Sequence, residues 1–342
     1  MKEILLVKAK GSNYEIGLTV GRAAKSLIEK AVTGYRKILL REEGWSGEWV
    51  VPDGCLAAAK DCFPHLIEEL QGMADGSGSS FDDLFFLNAL EEALDLKPPS
   101  ACTSVGLIAA GKAWLGHNED WYAEDTETVI AIFGQPQDQP AFLSISAAPF
   151  LSAVGMNEAG LAQGVNSVTA TDCRVGVPRM FAARAVLEAA TIEEALNKAT
   201  PFNRAGGYNH LLVEAGGKLG NLETSAVEAD YLPGAKIAFH TNHYLSPRLQ
   251  SLAVKGSDHS LARYRRLTEL ERIVKSERGE GMEMLSSCLS DHENRPLSIC
   301  KHASEQRGYE GTIFSAIFEP GSFRAWVAAG NPCSNRYEAI KL

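Results

Sequence analysis

Several short polar clusters stand at the ends of apolar runs in this chain or within its helices, and they carry the side chains of nucleophilic and acid–base chemistry. Cys102 follows the breaker PPSA and precedes Thr103 and Ser104. The others are GHNED (116–120), GMNEAGLAQGVNS (155–167), HTNH (240–243) and ARYRR (262–266). A lone cysteine opening a strand is ordinarily a small core residue. It becomes a nucleophile when a base lies within reach. Strand ends in a layered protein are where side chains from several elements can converge on one such site.

Other chemistries fit the spacing less well. His240 and His243 form an HxxH pair, but the zinc-protease motif needs HExxH on a helix, and HTNH follows the strand-type run KIAFH. Residues three apart on a strand point to opposite faces, which serves one ion poorly. The chain has seven cysteines and eight histidines, yet no local signature of a Cys–His protease. No CxxC pair offers a zinc ribbon or redox motif. DGSGSS lacks the lysine of a phosphate-binding loop and follows a helical stretch, so it reads as a linker. Neither a metal nor a cofactor is expected.

The elements that must position these residues fall into two blocks. Residues 13–41 repeat apolar side chains at helical spacing (Ile16, Val20, Ala24, Ile28, Tyr35, Leu39), with Ser12 or Asn13 as cap. A second helical stretch covers 56–73, interrupted at Pro64, and a third covers 81–95. LKPPSA then breaks the pattern. Beyond it, strand-type runs occupy 102–109, 112–117, 128–133, 141–146, 152–156 and 161–168. Helices are expected from Pro178 to Ala190 and over TIEEALNKA, where Thr191 is the N-cap and Glu194 sits at the capping-box position. Strands follow at 208–214, 218–224, 227–231 and 236–240, then helices at 258–276 and 281–289. Further strands take 312–318, 322–328 and 336–340. A helical leader followed by many strands with inserted helices argues for a layered α+β sandwich rather than alternating βαβ units.

Composition narrows the class. The 342 residues are 45% hydrophobic and 22% charged, enough for a sizeable core and against disorder. Acidic residues outnumber basic ones by 43 to 33, a net charge of −10, which argues against a nucleic-acid partner. No apolar run nears the roughly 18 residues of a membrane helix. The start MKEILLVKAK reads as a first strand rather than a signal peptide, so a soluble cytoplasmic protein is expected.

The ordered set ACTS, GHNEDW, GMNEAGLAQGVNS, LETS, HTNHYLSP, ARYRR and NRPLSIC resembles the acyl-coenzyme A:6-aminopenicillanic-acid acyltransferase family. More distantly it is similar to choloylglycine hydrolases and penicillin V acylases. The resemblance covers nearly the whole chain. It implies an N-terminal-nucleophile hydrolase with a four-layer αββα sandwich, made as a precursor that cuts itself before the cysteine. Residues 1–101 would become a small subunit and 102–342 a large one, the two staying associated as one globular unit. Cleavage would free the Cys102 α-amine, whose pKa of about 7.7–8 suits a base near neutral pH.

In that resemblance Asp120 hydrogen-bonds the cysteine and positions its amine, and Asn242 points its amide N–H at the developing oxyanion. Asn166 is a further polar residue near that hole, and Arg263 supports Cys102 and Asp120 electrostatically, with Arg265 and Arg266 as helical neighbours. The chain departs from the pattern in three places. Ala101 replaces the glycine before the nucleophile, and His117 stands where the choloylglycine pattern has arginine, which argues against bile-salt specificity. RGYEGT (307–312) displaces Arg307, so its site is not carried over. The expected activity is hydrolysis of a linear amide in a small N-acyl compound through a Cys102 thioester. Acyl-CoA-dependent N-acylation and a non-enzymatic binding protein of the same fold are the alternatives, and a homo-oligomer is left open.

Overall fold

The chain runs in the order expected of a layered α+β protein. The computed structural model describes residues 4–42, 49–94, 101–254, 257–276, 280–303 and 310–342. The first block is β1 (Leu5–Gly11), α1 (Asn13–Ala23), α2 (Lys25–Glu42), α3 (Cys55–Cys62), α4 (Pro64–Ser77), α5 (Phe81–Asn88) and α6 (Leu90–Ala93). Next come β2 (Ala101–Ala109), β3 (Lys112–Tyr122), β4 (Val129–Pro136), β5 (Phe142–Ala147), β6 (Val154–Asn157) and β7 (Leu161–Ser167). Helices α7 (Arg179–Val186) and α8 (Ile192–Ala199) lead into β8 (Tyr208–Glu214), β9 (Leu219–Thr224), β10 (Ala229–Gly234) and β11 (Ile237–His240). The chain closes with α9 (Asp258–Ser276), α10 (Gly281–Leu289), β12 (Glu310–Glu319), β13 (Arg324–Ala329) and β14 (Glu338–Ala339).

The strands form two sheets. One has the order β1-β4-β5-β6-β7-β8-β9-β10, the other β11-β2-β3-β12-β13-β14. Only the β1–β4 pairing is parallel among the described pairs. The sheets stack face to face: a Cβ built on Gly106 of β2 would meet Leu211 and Val213 of β8. Helices α1, α4 and α7 cover the free face of the larger sheet, while α9 and α10 cover that of the smaller one. The result is the αββα arrangement. No helix among the described residues is long and apolar enough to cross a membrane.

The leader shares the main core. Leu66, Leu70 and Phe85 from the helices pack with Ile130, Ile132 and Phe142 from the larger sheet and Phe181 from α7. Each such side chain contributes about 1.5–3 kcal/mol when fully buried. Helices α1 and α4 meet at glycines: a Cβ on Gly17 would lie 1.8 Å from the Glu69 carbonyl oxygen, and one on Gly72 2.1 Å from that of Tyr14. From α4, Glu69 also takes a two-pronged hydrogen bond from the fully buried Arg184 of α7 at 3.1 and 2.9 Å. An unpaired charge there would be strongly destabilising, which ties leader and body together.

Several expected elements differ in extent. The helix expected over 13–41 breaks at Ala24, and the one over 178–190 spans only α7. Ser12 is the cap of α1, its side chain accepting from the Glu15 N–H in a full capping box. Thr191 caps α8 as expected, but the Glu194 carboxylate reaches back to the Ala190 N–H rather than to Thr191. The strand expected over 112–117 continues to Tyr122, which places GHNED inside β3 and not at its end.

Candidate active site

The extension of β3 decides the geometry. In the β2–β3 ladder Cys102 lies opposite Glu119 and Ser104 opposite His117. Side chains alternate between the faces of a strand, so these four share the inner face that looks toward the larger sheet. Thr103, Asn118 and Asp120 take the outer face beneath α9 and α10.

On the inner face the four side chains form one hydrogen-bonded line. The Cys102 thiol donates to Glu119 Oε1 at 3.1 Å. The other carboxylate oxygen lies 3.0 Å from His117 Nε2, and His117 Nδ1 lies 2.9 Å from Ser104 Oγ. Burial, then the carboxylates of Glu119 and Asp120, push the thiol well above its usual range, with only Arg263 pulling it down. Cys102 therefore holds its proton at neutral pH, and a neighbouring base must take that proton as the sulfur attacks.

The outer face braces the same residue by its backbone. Arg263, on α9 and 1% exposed, donates through Nη1 to the Cys102 carbonyl oxygen (2.6 Å) and Thr103 Oγ1 (2.7 Å). Its Nη2 donates to Asn242 Oδ1 at 2.7 Å, and the Cys102 N–H donates to the same oxygen at 3.0 Å. Asn242 Nδ2 in turn donates to the Ser167 carbonyl at 3.0 Å. Asp120 accepts from Thr312 Oγ1 at 2.6 Å, and its second oxygen is buried with no hydrogen-bond partner among the described residues. Burial raises Asp120 from 3.8 to about 6, against the opposing pull of Arg263, Lys301 and Thr312. A bulge in β12 between Thr312 and Phe314 sends Thr312 toward Asp120 and Phe314 opposite Glu119.

Of the five residues expected at the site, Cys102, Asn242 and Arg263 are joined in one network. Two expected contacts differ. Asp120 does not hydrogen-bond Cys102: it lies on the opposite face of β3, and the carboxylate that meets the thiol is its neighbour Glu119. Asn242, expected to aim its N–H at the oxyanion, here accepts with its oxygen from the Cys102 N–H and from Arg263, while its Nδ2 donates to the Ser167 carbonyl. Asn166 sits beside Ser167 on β7, opposite Asn209 of β8. Its Oδ1 accepts from Asn209 at 3.1 Å, and its Nδ2 is buried without a partner among the described residues. Arg266 forks onto Asp291, and Arg307 lies outside the described residues.

Glu119 and the paired His117 are the residues that reading GHNED as a strand end passes over. The available signal was alternation: if the strand continues through the motif, positions 117 and 119 share a face.

Cys102 and Glu119 line a cavity of about 100 Å³. Its walls are mostly apolar, including Leu87, Phe150, Val165, Met180 and Phe314, and the carboxylates of Glu91 and Glu92 also line it. Both carboxylates pair with Arg179, at 2.8 and 3.5 Å. No lysine or arginine is among the described lining residues. Cys102, His117 and Glu119 hold donor atoms within 4.8 Å of one another and could also grip a metal ion, which would take the sulfur out of use as a nucleophile. The HTNH histidines are engaged with protein groups, His240 with Glu223 at 2.7 Å and His243 with Ser260 at 2.8 Å.

Residues 109–334 match the family described as acyl-coenzyme A:6-aminopenicillanic acid acyl-transferase. The chain is 27% identical over 343 aligned residues to an acyl-coenzyme A:6-aminopenicillanic-acid-acyltransferase 40 kDa form from Emericella nidulans, covering 96% of this chain and 93% of that one. It is 29% identical to a beta-alanyl-dopamine/carcinine hydrolase from Drosophila melanogaster over 54% of each chain. Among solved structures, a conjugated bile acid hydrolase variant from Clostridium perfringens matches with a TM-score of 0.47 and 13% identity over 70% of this chain and 97% of that one. A penicillin V acylase from Agrobacterium tumefaciens matches with a TM-score of 0.43 and 16% identity over 70% and 86%.

Proposed function

The chain belongs to the acyl-coenzyme A:6-aminopenicillanic acid acyl-transferase family and so stands among acyl-transferring and amide-cleaving enzymes, and we propose that it is a self-processing cysteine amidohydrolase. The observation that carries the reading is the Cys102 thiol, 3.1 Å from a carboxylate at the mouth of an apolar cavity, with its backbone N–H held by Asn242. In the intact chain the α-amine of Cys102 is still an amide nitrogen and cannot act as a base. Glu119 supplies that function for the first cut. It takes the thiol proton as Sγ bonds to the Ala101 carbonyl carbon, and His117 steadies its other oxygen. The Ala101–Cys102 C–N bond breaks, the leaving nitrogen takes a proton, and water hydrolyses the thioester to leave a carboxyl group on Ala101 and a free thiol on Cys102.

After the cut the Cys102 nitrogen is an amine, and Asn242 Oδ1 already lies where it can hold it. The amine then serves as base while the thiol takes the acyl group of a small N-acyl compound, releases the amine product and passes the acyl group to water. The Asn166 N–H, without a partner among the described residues, is the candidate donor to the oxyanion. Hydrolysis is favoured over coenzyme A-dependent transfer because the described cavity lining carries carboxylates and no cation to hold phosphates. The mostly apolar walls suit a small N-acyl compound, such as the amide in the name of the Drosophila relative, since Glu91 and Glu92 are already paired with Arg179. The shared core and the Glu69–Arg184 pair support fragments 1–101 and 102–342 staying together. The seven free cysteines support a reducing compartment, the cytoplasm.

Intact mass after expression tests the reading. Wild-type protein should give two fragments split at Ala101–Cys102, and Cys102→Ala a single full-length chain with no amide hydrolysis. A Cys102→Ala protein that still splits there would remove Cys102 as the nucleophile.

A further inference from the structure

Three residues close in sequence and a fourth about thirty residues further on bring two sulfurs and two imidazole nitrogens to one point beside the smaller sheet. They are His292 and Cys300 from the loop after α10, His302 two residues on, and Cys333 from the loop after β13. Their ligand atoms all lie within 4.8 Å of one another. His302 Nε2 is 3.0 Å from His292 Nε2, 3.2 Å from Cys333 Sγ and 3.7 Å from Cys300 Sγ.

Hydrogen bonding cannot account for this convergence. A ring nitrogen has either one proton to give or one lone pair to receive, so His302 Nε2 can satisfy one of its three neighbours. A cation at the centre satisfies all four. Metal–sulfur distances of about 2.3 Å and metal–nitrogen distances of about 2.0–2.1 Å place tetrahedral ligand atoms roughly 3.3–3.8 Å apart. Of the three separations above, 3.7 Å falls in that range and 3.0 and 3.2 Å lie just below it. Two thiolates and two imidazoles are the donor set of a closed structural zinc site, with no position left for substrate. Asn331 Nδ2 donates to Cys300 Sγ at 3.4 Å and to the Lys301 carbonyl at 2.6 Å, the supporting contact such sulfurs use.

We propose that His292, Cys300, His302 and Cys333 bind one zinc ion that fastens the loop before β12 to the loop after β13. On binding, each thiol releases its proton to solvent, and two thiolates neutralise the dication. The site is separate from Cys102 but connected to it through the chain. Lys301, between two of the ligands, exchanges backbone and side-chain hydrogen bonds with Thr312, whose hydroxyl holds Asp120. The Cys300 N–H also donates to the carbonyl oxygen of Asp291, whose carboxylate takes the fork of Arg266 on α9. The ion thus sets the loop on which the outer side of the active site rests. This inference does not depend on the proposed reaction.

Reduced, metal-stripped full-length protein is loaded with zinc, freed of excess by gel filtration and assayed for bound metal. About one ion per chain is expected, retained in Cys102→Ala and reduced below about a tenth in Cys333→Ser and His302→Ala. Cys333 and His302 are both exposed, so these substitutions leave the core intact, which a thermal melt verifies. Cobalt in place of zinc should give the intense visible absorption of a tetrahedral sulfur-ligated ion, lost in the same two variants. Three results would overturn the proposal: wild-type protein that retains no zinc, zinc kept in Cys333→Ser but lost in Cys102→Ala, or a Cys300–Cys333 disulfide in freshly isolated protein.

Discussion

The two faces of the β2–β3 hairpin use similar residue types for opposite ends. On the inner face a thiol, a carboxylate and an imidazole stand in line, and the line opens onto a cavity. On the outer face Arg263 and Asn242 fasten the backbone of Cys102, while Asp120 is held by Thr312 and leads through Lys301 to the loop that carries His292, Cys300 and His302. The sulfur of Cys102 has an open side and a base, which makes it available to a carbonyl carbon. The sulfurs of Cys300 and Cys333 gather with two imidazole nitrogens, the arrangement that suits the proposed ligand role. What separates the two roles here is the number of donors gathered around the sulfur, not the presence of a histidine.

If the inner face is the reactive one, its base should show the largest effect. Glu119→Gln keeps the shape of the side chain and an oxygen toward Cys102 but cannot take the proton. Self-cleavage should slow by about 10²–10⁴, the usual worth of a positioned base. Quench-flow is unnecessary: a time course of full-length chain on a denaturing gel reads the rate. Zinc binding by the outer cluster should be unchanged. Cleavage at the wild-type rate would show that another group deprotonates the thiol.

Oxyanion stabilisation comes next in size. Asn166→Ala should lower kcat for amide hydrolysis by about 10²–10³ with little change in KM, because the donor acts on charge that develops after binding. The comparison with Asn242→Ala sharpens the assignment. Asn242 holds the Cys102 nitrogen through its oxygen, so its loss should shift the pH profile of kcat/KM, which reports the free amine. If Asn242→Ala alone lowers kcat and Asn166→Ala does not, the donor is Asn242 after a rotation of its amide.

The fold was legible in the sequence because its signals are local. Helices α9 and α10 lie at their expected bounds, and Pro64 and Thr191 begin helices where their chemistry says they should. Cys102, Arg263 and Asn242 could be picked out because motif order brings them together. The site's base was not legible in the same way, since it depends on how far β3 extends. One more turn of alternation assigns Glu119 to the thiol and Asp120 to the opposite face. The second cluster was still less so. Its ligands are separated by 31 residues between His302 and Cys333, and only the pairing of β12 with β13 brings them to one edge. No spacing rule for zinc motifs covers a ligand set closed by a sheet.

The smallest effect expected lies on the outer face, in the titration of Asp120. Burial raises its pKa to about 6 from 3.8, so the folded chain binds its proton more tightly than the unfolded chain does. The stability this contributes is fully present below about pH 4 and is lost as pH rises through about 6. Asp120→Asn, made in the uncleaved Cys102→Ala background, is neutral at every pH and can still accept from Thr312. Its urea midpoint should exceed that of Cys102→Ala alone at pH 7.5, and the difference should shrink to nothing by about pH 4. A difference that stays constant across that window would mean that Asp120 is ionised throughout, held by Arg263 as a fixed anion. The outer face would then be an electrostatic brace rather than a buried acid, and its influence on the thiol of Cys102 would be independent of pH.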